Sequence, residues 1–140
     1  MALLLVVDDE RSIRESIARY LSTLGHEVTV AGSGVTALAA LRDREADLVI
    51  TDINMPGGDG IEIINALREM GSEVPIVAMT GGGRIDKQHL LDDAALLGAI
   101  ATLQKPFALP ALRAVVEQAL ERRAAVGFAD PRSARGEALR

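Results

Sequence analysis

Apolar positions fall along this chain in two alternating rhythms. Short, largely apolar runs, "LLLVV" (3–7), "EVTVA" (27–31), "DLVIT" (47–51), "VPIVAMT" (74–80) and "ATLQ" (101–104), have the length of strands. Between them apolar residues recur at helical spacing. The first such set is Ile13, Ile17, Tyr20, Leu21 and Leu24, and the second is Val35, Leu38 and Leu41. Ile61, Ile64 and Leu67 form a third, and Leu90, Leu91, Ala94, Ala95 and Leu97 a fourth. The last helix is expected from about Leu109 to Arg123. Gly25 supplies a stop for the first helix, Ser33 a cap for the second, and Pro110 suits the first turn of the last. Strands in strict alternation with helices predict right-handed crossovers and a parallel sheet covered on both faces. The near-continuous apolar strands agree with that double burial. From Ala124 the pattern stops, and "AAVGFADPRSARGEALR" reads as a flexible C-terminal tail over 124–140. One domain, 1–123, is expected, with no internal repeat.

Composition narrows the chemistry. The chain has 140 residues, 49% of them hydrophobic, enough for one domain with a real core. It has no cysteine, which excludes disulfides and thiolate metal sites. No apolar run approaches the roughly 20 residues of a membrane span, and with no basic n-region or small-residue cleavage site at the N-terminus no secretion signal is expected. A cytoplasmic protein without membrane contact is expected. The net charge of −5 is uneven: residues 1–121 carry 10 basic and 18 acidic side chains, and 122–140 carry 5 and 2. An acidic body argues against a broad nucleic-acid surface.

In a parallel α/β sheet the C-terminal strand ends meet at one edge, where ligands bind. Asp8 and Asp9 follow the first strand, Asp52 the third, Thr80 closes the fourth and Lys105 follows the fifth. Taken alone, the Asp8–Asp9 pair could simply cap a helix. Together, three carboxylates, a hydroxyl and an ammonium converge. Clustered carboxylates call for a cation, and this oxygen-donor set suits Mg²⁺. A carboxylate can also act as a nucleophile and form an acyl phosphate, with Asp52 as the central candidate. Asp59 before Gly60 reads as a helix cap, and the triple glycine 81–83 as a flexible segment without the ending of a P-loop.

The motifs "VVDDE", "ITDINMPGGDG", "VAMT" and "LQKPF", in this order and at these intervals, resemble the receiver domain of bacterial two-component response regulators over roughly residues 1–123. The resemblance implies a flavodoxin-like doubly wound α/β fold, five parallel strands in the order 2-1-3-4-5. It implies that Asp52 is the phosphoacceptor, and that Asp8, Asp9, Asp52 and the backbone carbonyl of Asn54 hold Mg²⁺. Thr80 and Lys105 would contact the phosphoryl group, and the Lys105–Pro106 peptide would be cis. The donor would be a phosphohistidine on a sensor histidine kinase or histidine phosphotransfer protein. Output would pass through an unknown downstream protein or by onward phosphotransfer.

The chain departs from the family pattern in three places. Gly81 to Gly83 stand where a small residue such as Ala or Ser usually follows the threonine. Thr102 replaces the aromatic expected three residues before the lysine, so switching is expected through the glycine segment. No effector domain follows, so no direct DNA binding is expected. Two rivals remain. One is a Mg²⁺-dependent phosphatase with an aspartyl-phosphate intermediate, disfavoured because Asn54 stands where such enzymes need a second Asp. The other is a phosphorylation-independent binding module. Under the receiver reading the protein is not an enzyme beyond its own phosphorylation and slow dephosphorylation.

Overall fold

The structure, a computed structural model, describes residues 2–53, 59–80 and 98–129, with the backbone alone for Asp59 and 123–129. Its strands are β1 (Leu3–Val7), β2 (Glu27–Ala31), β3 (Leu48–Asp52), β4 (Ile76–Thr80) and β5 (Ala101–Gln104). Its described helices are α1 (Arg11–Thr23), α2 (Gly34–Asp43), α3 (Asp59–Glu69) and α4 (Leu109–Ala129). Neighbouring strands are all parallel, in the order β2-β1-β3-β4-β5. This is the flavodoxin-like arrangement the sequence predicts.

Strand side chains alternate between two faces, and both are covered. Leu5, Val7, Val49, Ile76 and Ala78 pack with Ala37 of α2 and with Ile63, Ile64 and Leu67 of α3. Leu4, Val6, Leu48, Ile50, Val77, Met79 and Leu103 pack with Ile17 and Leu21 of α1 and with Leu112, Val116 and Ala119 of α4. Burial on both faces explains why the central strands β1, β3 and β4 read as near-continuous apolar runs, whereas the edge strands β2 and β5 are only partly buried. The register then brings the strand ends level: Val7 pairs with Thr51, Asp52 with Met79, and Thr80 with Gln104.

Local chemistry sets the helix ends. At Gly25 (φ 95°) the N–H groups of Gly25 and His26 donate to the carbonyls of Ser22 and Leu21. This is the Schellman geometry, and it needs a residue tolerant of the left-handed region. Ser33 caps α2 by accepting from the Thr36 N–H, while the Thr36 hydroxyl accepts from the Ser33 N–H. At the opposite end of the sheet from the acidic residues, Arg68 fastens three segments. Its guanidinium donates to the carbonyls of Ser72 (2.9 Å), Val74 (3.1 Å) and Gly98 (3.0 Å).

Four details differ from expectation. β3 is shifted by one residue, because the Asp47 carboxylate accepts from the Leu3 N–H at 2.8 Å and stays outside the strand. β4 begins at Ile76, after Pro75, which has no N–H to give a ladder. Val35 is 80% exposed, because α2 turns Gly34, Ala37 and Leu41 toward the sheet. The last helix does not stop at Arg123 but runs to Ala129. "AAVGFA" explains this: three alanines favour helix, and one interior glycine costs only about 1 kcal/mol. The helix expected over 90–97, the 55–58 loop, Gly81–Gly83 with its expected switching role, and 130–140 lie outside the described residues.

α3 starts pressed against the backbone of β3. A Cβ added at Gly60 would lie 2.1 Å from the Asp52 carbonyl oxygen and 2.3 Å from the Ile53 Cα. One added at Gly25 would meet nothing within 4 Å, and only its positive φ resists a side chain. Gly60→Ala should therefore lower the unfolding free energy by about 3 kcal/mol, as overpacking does. Gly25→Ala should cost about 1–2 kcal/mol. Denaturant titration checks the ranking, and equal losses would mean that α3 is free to move away from β3.

Candidate functional site

The level strand ends put the predicted residues beside one another. Asp8 is fully buried, and its backbone N–H donates to the Ala31 carbonyl, tying β1 to β2. Its Oδ1 accepts from the Glu10 N–H at 2.9 Å and its Oδ2 from Lys105 Nζ at 2.5 Å. Asp52, the last residue of β3 and 4% exposed, accepts from the same Nζ at 2.9 Å. The Lys105 N–H donates to the Thr80 carbonyl at 2.7 Å, which sets the lysine against the end of β4. Asp9 is exposed. Asp8, Asp9 and Asp52 each offer a carboxylate oxygen, and these oxygens lie within 4.8 Å of one another.

The helix-cap reading of the Asp pair does not describe this geometry. The N-cap position of α1 is Glu10, which makes no side-chain capping bond among the described residues. Asp8 instead spends one carboxylate oxygen on the Glu10 N–H and the other on Lys105. The Lys105–Pro106 peptide is cis, as the resemblance implies.

Like charges at about 4 Å repel by roughly 4 kcal/mol at an effective dielectric constant of 20. One ammonium offsets part of the repulsion among three carboxylates and leaves a net negative site. Burial opposes the charge on Lys105, but hydrogen bonds and Coulomb attraction from Asp8 and Asp52 outweigh it and raise its pKa above the ordinary lysine value. The donor set fits Mg²⁺ in kind, being hard oxygen ligands with one carboxylate open to water. It also fits in size. At a ligand distance of about 2.1 Å, Mg²⁺ holds oxygens up to about 4.2 Å apart, so a small side-chain adjustment closes the site. Asn54, whose carbonyl the resemblance adds to this set, lies outside the described residues.

Thr80 adds an unusual feature. Its hydroxyl is buried, and Oγ1 has no hydrogen-bond partner among the described residues. Such a group costs about 1–3 kcal/mol unless something bonds to it. Beside the site, Ile13, Ile17, Phe107 and Leu109 line a groove of about 690 Å³ that reaches Lys105.

Three residues at the site escaped the sequence reading. Gly60 abuts the Asp52 carbonyl, and its only signal was the Asp59–Gly60 pair, read as a cap. Arg14 reaches back from α1 to the backbone of Asp8, beside Gly32. Helical side chains lean toward the N-terminus, so an arginine in the first turn after the acidic pair could have been noticed.

Comparisons with known proteins agree with this geometry. The family pattern described as the response regulator receiver domain matches residues 4–117. The response regulator MprA of Mycobacterium sp. (strain KMS) is 40% identical over 119 residues, which are 85% of this chain and 50% of that protein. The crystal structure of the receiver domain of NtrX from Brucella abortus superposes with a TM-score of 0.78 at 38% identity, covering 84% of this chain and 98% of that one. The chemotaxis protein CheY4 of Vibrio cholerae superposes with a TM-score of 0.76 at 31% identity, covering 86% and 99%.

The chain thus spans about half the length of the curated relatives it matches. A longer NtrX chain from Brucella abortus, crystallised with ADP, is covered to only 29%. The expectation of no direct DNA binding is therefore withdrawn. It rested on the lack of a following domain, and these relatives extend well beyond the part that matches. Among the described residues no helix is long and apolar enough to cross a membrane. The matched span takes in every strand that feeds the acidic edge, from β1 to β5, and the chain belongs to the response regulator receiver family.

Proposed function

We propose that the protein is a phosphoacceptor in two-component or phosphorelay signalling, taking a phosphoryl group from a phosphohistidine onto Asp52. The observation that carries the reading is the Asp52 carboxylate, held by Lys105 beside two further carboxylates and a buried hydroxyl with no partner among the described residues. A carboxylate oxygen of Asp52 forms the new P–O bond while the P–N bond of the donor breaks and its electron pair leaves with the imidazole. Lys105 Nζ turns from the carboxylates to the oxygens of the transferred group and offsets their charge. Thr80 Oγ1 donates to one of those oxygens and so gains the partner it lacks. Asp8, Asp9 and Asp52, with the Asn54 carbonyl, would hold Mg²⁺, which neutralises charge on the transferring oxygens. Water later cleaves the acyl phosphate and restores Asp52. The state is read out by protein contact or onward phosphotransfer, through a shift between two conformers.

Incubation with Mg²⁺ and a small-molecule phosphodonor should add one acid-labile, hydroxylamine-sensitive phosphoryl group. Asp52→Ala should abolish it, and Thr80→Ala should slow its formation or shorten its life. Mass spectrometry of the intact protein checks both. Labelling that persists in Asp52→Ala would place the nucleophile elsewhere.

The charge balance makes a second, metal-free prediction. Lys105→Met leaves Asp8 and Asp52 buried without their ammonium and should lower stability by about 3 kcal/mol. Asp9→Asn removes one repelling charge and should raise stability slightly. Urea unfolding in a chelator measures both. A Lys105→Met variant as stable as wild type would show that repulsion at this edge does not govern the fold.

A further inference from the structure

We propose that Arg14 is a positioning residue for the acidic loop, and that Gly32 is a glycine so that Arg14 can lie there; the proposal rests on reading the site as one that binds Mg²⁺. Asp8 is held at both carboxylate oxygens, by the Glu10 N–H and by Lys105. Asp9 has no side-chain partner of that kind among the described residues. Its aim therefore depends on its backbone. Arg14 is what grips that backbone from the side: Nη1 lies 3.2 Å from the Asp8 carbonyl oxygen and 3.5 Å from that of Asp9. These are the peptide groups on either side of the Asp9 Cα, and fixing them fixes the direction in which the Asp9 carboxylate leaves the chain.

Gly32, at the end of β2, lies against the same guanidinium. An added Cβ there would stand 3.2 Å from Nη1, 3.6 Å from Cζ and 3.9 Å from Nη2 of Arg14. Its backbone is not in the left-handed region that favours glycine, which among the described glycines holds for Gly25, Gly71 and Gly98. Space for the guanidinium, not conformation, is what a side chain at Gly32 would take away.

Arg14 acts on a bound cation in two opposed ways. Its charge repels Mg²⁺, and its hydrogen bonds orient a ligand for Mg²⁺. The partners here are neutral carbonyls at bonding distance, and the half-exposed guanidinium is screened by salt. Orientation therefore prevails. Partners that orient metal ligands typically change affinity by about 10–100-fold. With one of the two bonds long, about tenfold is expected.

The test is calorimetric titration of the full chain with MgCl₂, for wild type, Arg14→Ala, Arg14→Lys, Gly32→Val and the Arg14→Ala/Gly32→Val pair. Arg14→Ala should bind Mg²⁺ about tenfold more weakly, and equally so at high salt. Arg14→Lys keeps the charge without the planar fork and should stay weak. Gly32→Val should weaken binding in wild type but add nothing in the Arg14→Ala background. In phosphodonor labelling the half-saturating Mg²⁺ concentration should rise by the same factor, with the rate recovering at saturation. Without metal, hydrogen exchange at the Asp9 and Glu10 amides should quicken in Arg14→Ala while the unfolding midpoint holds. Unchanged or tighter Mg²⁺ binding by Arg14→Ala, or additive losses in the double variant, would overturn the role of Arg14 and leave the site reading intact. A wild-type chain that takes up no Mg²⁺ would overturn both.

Discussion

Two buried carboxylates share one ammonium, and the architecture of the domain is arranged around that fact. Asp8 follows β1, Asp52 ends β3, and Lys105, just past β5, must reach them across the end of β4. Only a sheet whose strands all point one way can place those ends side by side. The bond from the Lys105 N–H to the Thr80 carbonyl then holds the lysine at the right height. The same ammonium makes no bond to Asp9 among the described residues, and one positive charge against three carboxylates leaves the edge negative. An edge in that condition answers to any event that changes its charge.

The two ends of the sheet differ in how their charges are balanced. At the far end Arg68 gives its donors to three neutral carbonyls, and the carboxylate of Glu27 at the start of β2 has its own cation in Arg44. At the near end charges face charges with too few cations. At both ends a glycine leaves room for an arginine: a Cβ added at Gly98 would stand 3.0 Å from Arg68 Nε, and one at Gly32 3.2 Å from Arg14 Nη1. One end serves as an anchor, and the other can rearrange against it.

Much of this was legible in the sequence, and the reasons are physical. Strands buried on both faces must be apolar at nearly every position, which made the central strands β1, β3 and β4 visible, while the edge strands β2 and β5 were legible from their place in the alternation with helices. Parallel topology then places Asp8, Asp9, Asp52, Thr80 and Lys105 on a common edge from the order of the strands alone. What stayed hidden depends on contacts between segments that periodicity does not relate. The reach of Arg14 to the Asp8 carbonyl, the fit of Gly32 beneath it and the closeness of Gly60 to Asp52 are of this kind. Helix boundaries were misjudged where local preference and burial pattern part company. Residues 124–129 lack a readable apolar face yet favour helix, and Val35 is apolar yet faces outward.

The span between the lysine and its partners matters for how the chain is born. Lys105 follows Asp8 by 97 positions and Asp52 by 53. At about 5–20 residues per second of translation, it leaves the ribosome some 5–20 seconds after the first aspartate. For that interval β1 and β3 can pair while their acidic ends have no counter-charge from the chain itself. The nascent sheet is therefore least stable at the place where the finished protein is most specialised. Its completion waits on a single late side chain.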